Sequence, residues 1–185
     1  MELRRMYDED FNYLGYLKDR KEPLEETEYF VVSGVMVISR GKLLVTQRAK
    51  NKTFPHQWEF TMGSVVDKES PLQGALRELK EEVGIRATDR DLTFLGTMKE
   101  NQKFSKIFLL VRDVDKIKMQ KSEVEDYKFV GKTELDAMLK AGDFAPPMAK
   151  RIETYMEKIA PKLTDCGVLW NLFYLEVYLP ASPSL

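Results

Sequence analysis

Thiol and imidazole chemistry is almost absent from this sequence. Its 185 residues contain one cysteine, Cys166, and one histidine, His56. A lone cysteine excludes an intrachain disulfide framework, and a lone imidazole does not make a metal site, so His56 reads as a surface loop residue. Long apolar runs are also missing: none approaches the ~20 residues needed to span a bilayer, and the opening MELRRMYDEDF lacks the apolar centre of a secretory signal. A cytoplasmic protein without a transmembrane segment is expected. Charge of one sign is not in excess either. The 29 basic and 30 acidic residues give a formal net charge of −1 and are interspersed, so there is no footprint for polymeric nucleic acid or a membrane surface.

What remains is an ordinary apolar supply. At 43% hydrophobic residues the chain is rich enough for a sizeable core, and its length suits one compact unit. The pattern is mixed α/β, without repeats or low-complexity segments. Glu2 to Tyr7 and Tyr13 to Lys18 flank the polar turn DEDFN and predict a leading β-hairpin. YFVVSGVMVIS reads as a buried strand, which Arg40 and Gly41 turn into a second, KLLVTQRA. NKTFPHQWEFTMG reads as a loop. LTFLGTMKE and FSKIFLLVRDV predict two strands joined by ENQK, and DYKFVG a short one. Thr133 is then the expected cap of a helix ending near Gly142, and Met148, Ile152, Met156 and Ile159 form the stripe of a last helix.

The most complete local signal lies in the middle. Ser70 suits an N-cap, Pro71 the first helical position and Gln73 the partner residue of a capping box. Leu72, Leu76, Leu79 and Val83 recur at helical spacing, and Gly84 supplies a left-handed stop. The last turns of this helix carry Glu78, Glu81 and Glu82, related by three and four positions and therefore on one face. Their mutual repulsion and the negative end of the macrodipole each cost a few tenths of a kcal/mol. A solvated charged face, relieved by Arg77 and Lys80, accounts for such a run in general. A concentration of oxygen ligands for a hard divalent cation is the alternative.

The segment GSVVDKESPLQGALRELKEEVGI, Gly63 to Ile85, resembles the Nudix box. That pattern is Gly, five residues, Glu, seven residues, then Arg-Glu-aliphatic-x-Glu-Glu-x-Gly-aliphatic, and Gly63, Glu69, Arg77, Glu78, Leu79, Glu81, Glu82, Gly84 and Ile85 match every specified position. The order of elements from about Tyr29 to Ala160 suits the Nudix α/β/α sandwich, in which a mixed sheet lies between helices. The resemblance implies a domain over residues 1–160, including the hairpin, followed by an extension over 161–185.

It also implies Mg²⁺-dependent hydrolysis, with Mn²⁺ as a substitute, of a nucleoside diphosphate linked to another group X. Glu78, Glu81 and Glu82 would be the carboxylate ligands, joined by the carbonyl of Gly63, and Arg77 would orient them. Glu69 is expected to tether the loop to the helix. The general base in such enzymes varies, and Glu78, Glu100, Glu123 and Glu125 are candidates here. Glu123, in a polar loop before DYKFV, is favoured among them, with a solvated loop carboxylate as the equal alternative. Arg48 is a candidate phosphate contact or a surface ion pair. Phe54, Trp58 and Phe60 are candidates for stacking on a base, with core packing expected for at least two, and the loop Lys50 to Glu59 is expected to bind X.

TQRAKNKTFPHQWEFT also resembles the segment leading into the active site of isopentenyl diphosphate isomerases, which share the Nudix fold. Those enzymes need a cysteine shortly after this Trp and several histidines. This chain has WEFTMGSVV there, so isomerase chemistry ranks last. A noncatalytic diphosphate sensor ranks between it and the hydrolase. Finally, Phe173, Leu175, Val177 and Leu179 alternate with polar neighbours, so the tail is expected to pack on its own domain or form a homodimer contact.

Overall fold

A computed structural model describes residues 2–165. Its centre is β3 (Phe30–Ser39), a nearly continuous apolar run because both of its faces are covered. Val35 and Val37 point into one layer, and Met36 and Ile38 into the other. Strand β3 runs parallel to β8 (Lys103–Val111), and β8 pairs antiparallel with β7 (Leu92–Glu100) through the expected ENQK turn. The leading hairpin forms from β1 (Leu3–Tyr7) and β2 (Tyr13–Asp19).

The other edge of β3 is shared. It forms the expected hairpin with β4 (Lys42–Arg48), but the pairing covers only Ile38↔Leu43 and Ser39↔Lys42. Strand β4 then pairs with β9 (Val124–Val130) and with β5 (Trp58–Glu59). Another short strand, β6 (Met62–Ser64), takes the vacated edge, aligning Ser33 with Gly63. The strand β5 falls inside the segment expected to be a loop, and β6 starts in it and runs one residue past its end. Two and three residues are too short to show periodicity.

Helix α1 (Pro71–Val83) has the expected ends. The Ser70 hydroxyl accepts from the Gln73 N–H, the Gln73 side chain accepts from the Ser70 N–H, and Gly84 closes the helix at φ 73°. It packs on the Val35 and Val37 face through Ala75, Leu79 and Val83, while Leu76 lies outside that cluster. Three helices cover the opposite face: α2 (Lys132–Ala141), α3 (Pro146–Thr154) and α4 (Met156–Ile159). The result is a mixed sheet between helical layers, an α/β architecture. The cap of α2 is Gly131 rather than Thr133, whose N–H and hydroxyl both bond to Asp165. The expected last helix is broken at Tyr155, which ends α3 and begins α4.

The core continues beyond residue 160: Leu163 is buried and the Thr164 N–H donates to the Gly41 carbonyl. The alternating stretch Phe173 to Leu179 and the dimer contact suggested for it lie outside the described residues. Among the described residues, no helix is long and apolar enough to cross a membrane.

The N-terminal ribbon is fastened by a buried carboxylate. Glu28 accepts from the Tyr16 hydroxyl, the Lys18 ammonium and the Glu25 N–H, each at 2.6 Å. Burial alone would raise its pKa, but Lys18, Tyr16 and the Glu25 amide outweigh burial and hold it at about 2 instead of 4.5. Its stabilising effect is therefore full above pH 4.5 and lost as pH falls towards 2. Glu28→Gln is expected to cost about 2–3 kcal/mol in urea unfolding at pH 7, with the difference from the parent closing in acid.

Candidate active site

A cleft of about 400 Å³ opens where β4 parts from β3 and β6 takes its place. At β6 the absence of a Cβ on Gly63 leaves room for the Glu78 carboxylate, which would otherwise have to shift. Glu78 and Glu82, one turn apart on α1, line the cleft, and Glu123 joins them from the loop before β9. That loop is seated by the helix itself. The free carbonyls at the end of α1 are capped from it, with Lys118 N–H on the Val83 carbonyl and Gln120 N–H on the Glu82 carbonyl, each at 2.9 Å. The Glu123 carbonyl then accepts from the Ala49 N–H at 3.0 Å.

Arg77 organises the helix side. Its Nε and one Nη hold both oxygens of Glu69, at 2.7 and 3.0 Å, and the same Nη also reaches the Ser64 carbonyl at 2.9 Å. The other Nη holds Glu78 at 2.7 Å and Glu81 at 3.1 Å. One guanidinium thereby ties the β6 loop to three carboxylates. Hydrogen bonding to Glu69 is the main reason that its own pKa is raised. Burial pushes Glu69 up, yet Arg77 outweighs it and the net shift is downward. For Glu78 burial prevails and its pKa is raised.

Glu82 is the anomaly. Only 6% of the residue is exposed, and its Oε2 is buried without a hydrogen-bond partner. Burial first, then the neighbouring carboxylates of Glu59, Glu78 and Glu123, push its pKa well above the ordinary value. Glu59 is itself buried, on β5, and its carboxylate pairs with Arg48, whose Nε also donates to the Thr53 carbonyl at 2.6 Å. Lys52 pairs with Glu123.

Several residues singled out in the sequence sit elsewhere. Glu81 is half-exposed at the rim, sharing a side hollow with Glu78 and Glu123 rather than lining the main cleft. Glu100 is buried against Arg151 and Ser105 at the end of β7, which removes it as a free base. Glu125 is the extra residue of a bulge in the β4–β9 ladder and bonds His56 Nδ1 at 2.8 Å. Phe60 is fully buried in the core, and Trp58 packs against the same cluster with Lys128 over its ring at 4.9 Å. Of the three candidate aromatics, Phe54 alone lines the cleft. Arg48 lines it as well, but as the partner of a buried carboxylate rather than a surface ion pair. Arg4, Arg20, Lys103 and Arg151 also line the cleft with no signal for it in the sequence, whereas Lys52, which lines it too, and the buried Glu59 belong to the loop Lys50 to Glu59.

The donors that converge are carboxylate oxygens, the ligand type of Mg²⁺ and Mn²⁺. Among the described residues, no three carboxylate, imidazole or thiol side chains are already closed around one point. The unsatisfied Glu82 oxygen and the glycine that admits Glu78 nevertheless fit a divalent cation.

The model of the NUDIX domain matches residues 28–154. The chain belongs to the Nudix family. Nudix relatives include an uncharacterized Nudix hydrolase of Listeria monocytogenes, 30% identical over 151 residues, covering 79% of this chain and 89% of the relative. Among solved structures, DR0079 of Deinococcus radiodurans superposes with a TM-score of 0.71 at 20% identity, covering 83% of this chain and 98% of that one. A bifunctional NMN adenylyltransferase/ADP ribose pyrophosphatase of Francisella tularensis, complexed with AMP and a Mn ion, superposes at TM-score 0.59 and 19% identity over 75% of this chain and 44% of that one. The Nudix hydrolase family acts on nucleoside diphosphate derivatives and generally uses divalent metal.

Proposed function

We propose that this Nudix chain is a Mg²⁺-dependent hydrolase of a nucleoside diphosphate linked to another moiety, cleaving the diphosphate by water attack on phosphorus. The observation that carries this reading is Glu82, a buried carboxylate with an unpartnered oxygen beside Glu78. Burial without a partner is costly, and a cation gives it a purpose. Glu78 and Glu82 would hold the metal, with Glu81 and the Gly63 carbonyl as further candidates. When bound, the cation neutralises phosphate oxygens and polarises the attacking water.

The chain's own groups do the rest. Arg77 keeps Glu78 and Glu81 oriented, and Glu69 fixes Arg77 in turn. Arg48 and Lys52 present positive charge to the phosphates, and Phe54 offers a face to a base. Glu123, which lines the cleft with Glu78 and Glu82, takes the proton of the attacking water. Its pair with Lys52 holds it in place until substrate arrives. Glu123→Gln is expected to lower kcat by ~10²–10⁴ with little change in KM; near-normal turnover would assign the role elsewhere.

The test of the function is incubation with Mg²⁺, and separately Mn²⁺, over sugar nucleotides, dinucleotide cofactors and oxidised nucleotides, following phosphate-containing products by chromatography. Metal-dependent turnover supports the hydrolase. Ligand binding without turnover across the panel would overturn it in favour of a sensor.

A further inference from the structure

The cleft continues past the carboxylates to an end of opposite charge. Strand β1 brings Arg4 there, Phe30 begins β3, and Lys103 begins β8 directly across the ladder from Phe30. The Arg4 guanidinium lies 4.2 Å from the centre of the Phe30 ring. Arg4 is 6% exposed, donates one bond to the Arg20 carbonyl at 3.2 Å, and keeps its Nε–H buried with no acceptor.

Two of the carboxylates near this end are taken by other cations, and Asp19, which accepts from the Lys21 N–H, stays beyond ion-pair distance of Arg4. Arg151 takes Glu100, the residue opposite Lys103 in the β7–β8 ladder, and Arg20 takes Glu2. Among the described residues, neither Arg4 nor Lys103 has a carboxylate within ion-pair distance, and Lys103 makes no side-chain hydrogen bond. Burial and then a neighbouring cation, Arg20 for Arg4 and Arg151 for Lys103, lower the proton affinity of both, against a weaker pull from Glu2 and Asp19 on Arg4 and from Glu100 on Lys103. Two desolvated cations left unpaired in a cleft have the character of an anion site.

We infer that Arg4 and Lys103 form a second anion site, which takes a phosphate or carboxylate carried by the X group of the substrate. This rests on the hydrolase reading and narrows it to substrates whose leaving part is itself anionic. The spacing separates the two sites. Gly63, beside Glu78, is in register with Ser33, and Lys103 with Phe30, so three residue steps along β3, about 10 Å, separate them. That is too far for the other half of the same diphosphate, whose phosphorus atoms share one bridging oxygen. The N-terminal ribbon thereby becomes part of the substrate site, which explains why it is fastened so firmly at Glu28.

Inorganic phosphate is the direct probe. In chelator, at ionic strength matched with chloride, phosphate is expected to raise the melting temperature of the parent and of Glu82→Gln by a few degrees. Arg4→Gln and Lys103→Gln should each lose that rise, and Lys103→Gln serves if Arg4→Gln folds poorly. No rise over chloride in the parent, or a rise that survives Lys103→Gln, would overturn the site. With Mg²⁺, UDP-glucose against UDP-glucuronate, and ADP-ribose against ADP-ribose phosphorylated on its distal ribose, give pairs that differ by one anionic group on X. About a tenfold or greater preference in kcat/KM for the member with the extra anion, abolished by Lys103→Gln, is the expected signature. A phosphate response that needs Lys103 in a protein that hydrolyses no diphosphate would retain the site and discard the hydrolase reading.

Discussion

Glu82→Gln is expected to abolish Mg²⁺-dependent turnover and, in the same protein without metal, to raise the melting temperature. The two effects have one origin. A carboxylate that is buried, lacks a partner for Oε2 and faces Glu59, Glu78 and Glu123 destabilises the metal-free fold in its charged form. An amide of the same shape removes the charge, and relief of an unpartnered buried group is worth roughly 1–3 kcal/mol, or several degrees for a chain of this size. The sign with pH follows from the raised pKa. Ionisation is favoured in the unfolded chain above 4.5 and resisted in the folded one, so the advantage of Gln is absent below pH 4.5. It grows as pH rises through the folded-state value and is flat beyond it. Thermal melts in chelator from pH 4 to 9, beside turnover with Mg²⁺, check both halves. A variant that is inactive and also less stable than the parent would mean that Glu82 is structural.

Local signals explain how much of this was legible in the sequence. Helix α1 was readable at both ends because its cap, its proline and its terminal glycine act within four residues, and the box supplied Arg77 and its carboxylates on the same short stretch. Glu59 was not readable. Its partner Arg48 becomes a neighbour only because β4 leaves β3 and pairs with β5, a register that two residues of strand cannot announce. Trp58, open in the sequence between a stacking surface and the core, is decided at the same place: a bridge to Phe144 turns it into the core, which with Phe60 makes the two core aromatics expected. Arg4 lies 59 positions before Gly63 and enters the cleft through the folding of the ribbon onto Tyr29 and Asp67. Composition shows an arginine in a hairpin; only the assembled sheet shows an arginine without a carboxylate.

Arg77→Lys separates charge from geometry and is the second large effect expected. Lysine keeps the positive charge, but its ammonium has three donors at a single point and cannot reproduce a fork that reaches Glu69, Glu78, Glu81 and the Ser64 carbonyl together. Breaking a partly buried network of this kind costs about 2–4 kcal/mol in urea unfolding, at the lower end because a quarter of the guanidinium side is wet. The loss should also carry a pH signature. Arg77 holds the Glu69 pKa below its ordinary value against the opposing push of burial. The parent therefore draws stability from Glu69 above pH 4.5 and loses it in acid, whereas with the fork gone burial dominates and that limb flattens. Catalysis should fall by ~10² in kcat/KM, because Glu78 and Glu81 lose the group that aims them. A lysine variant with parental stability and turnover would reduce Arg77 to a counter-charge. A loss of both, with the acid limb flattened, would identify the guanidinium fork as what turns four scattered acidic and carbonyl groups into one site.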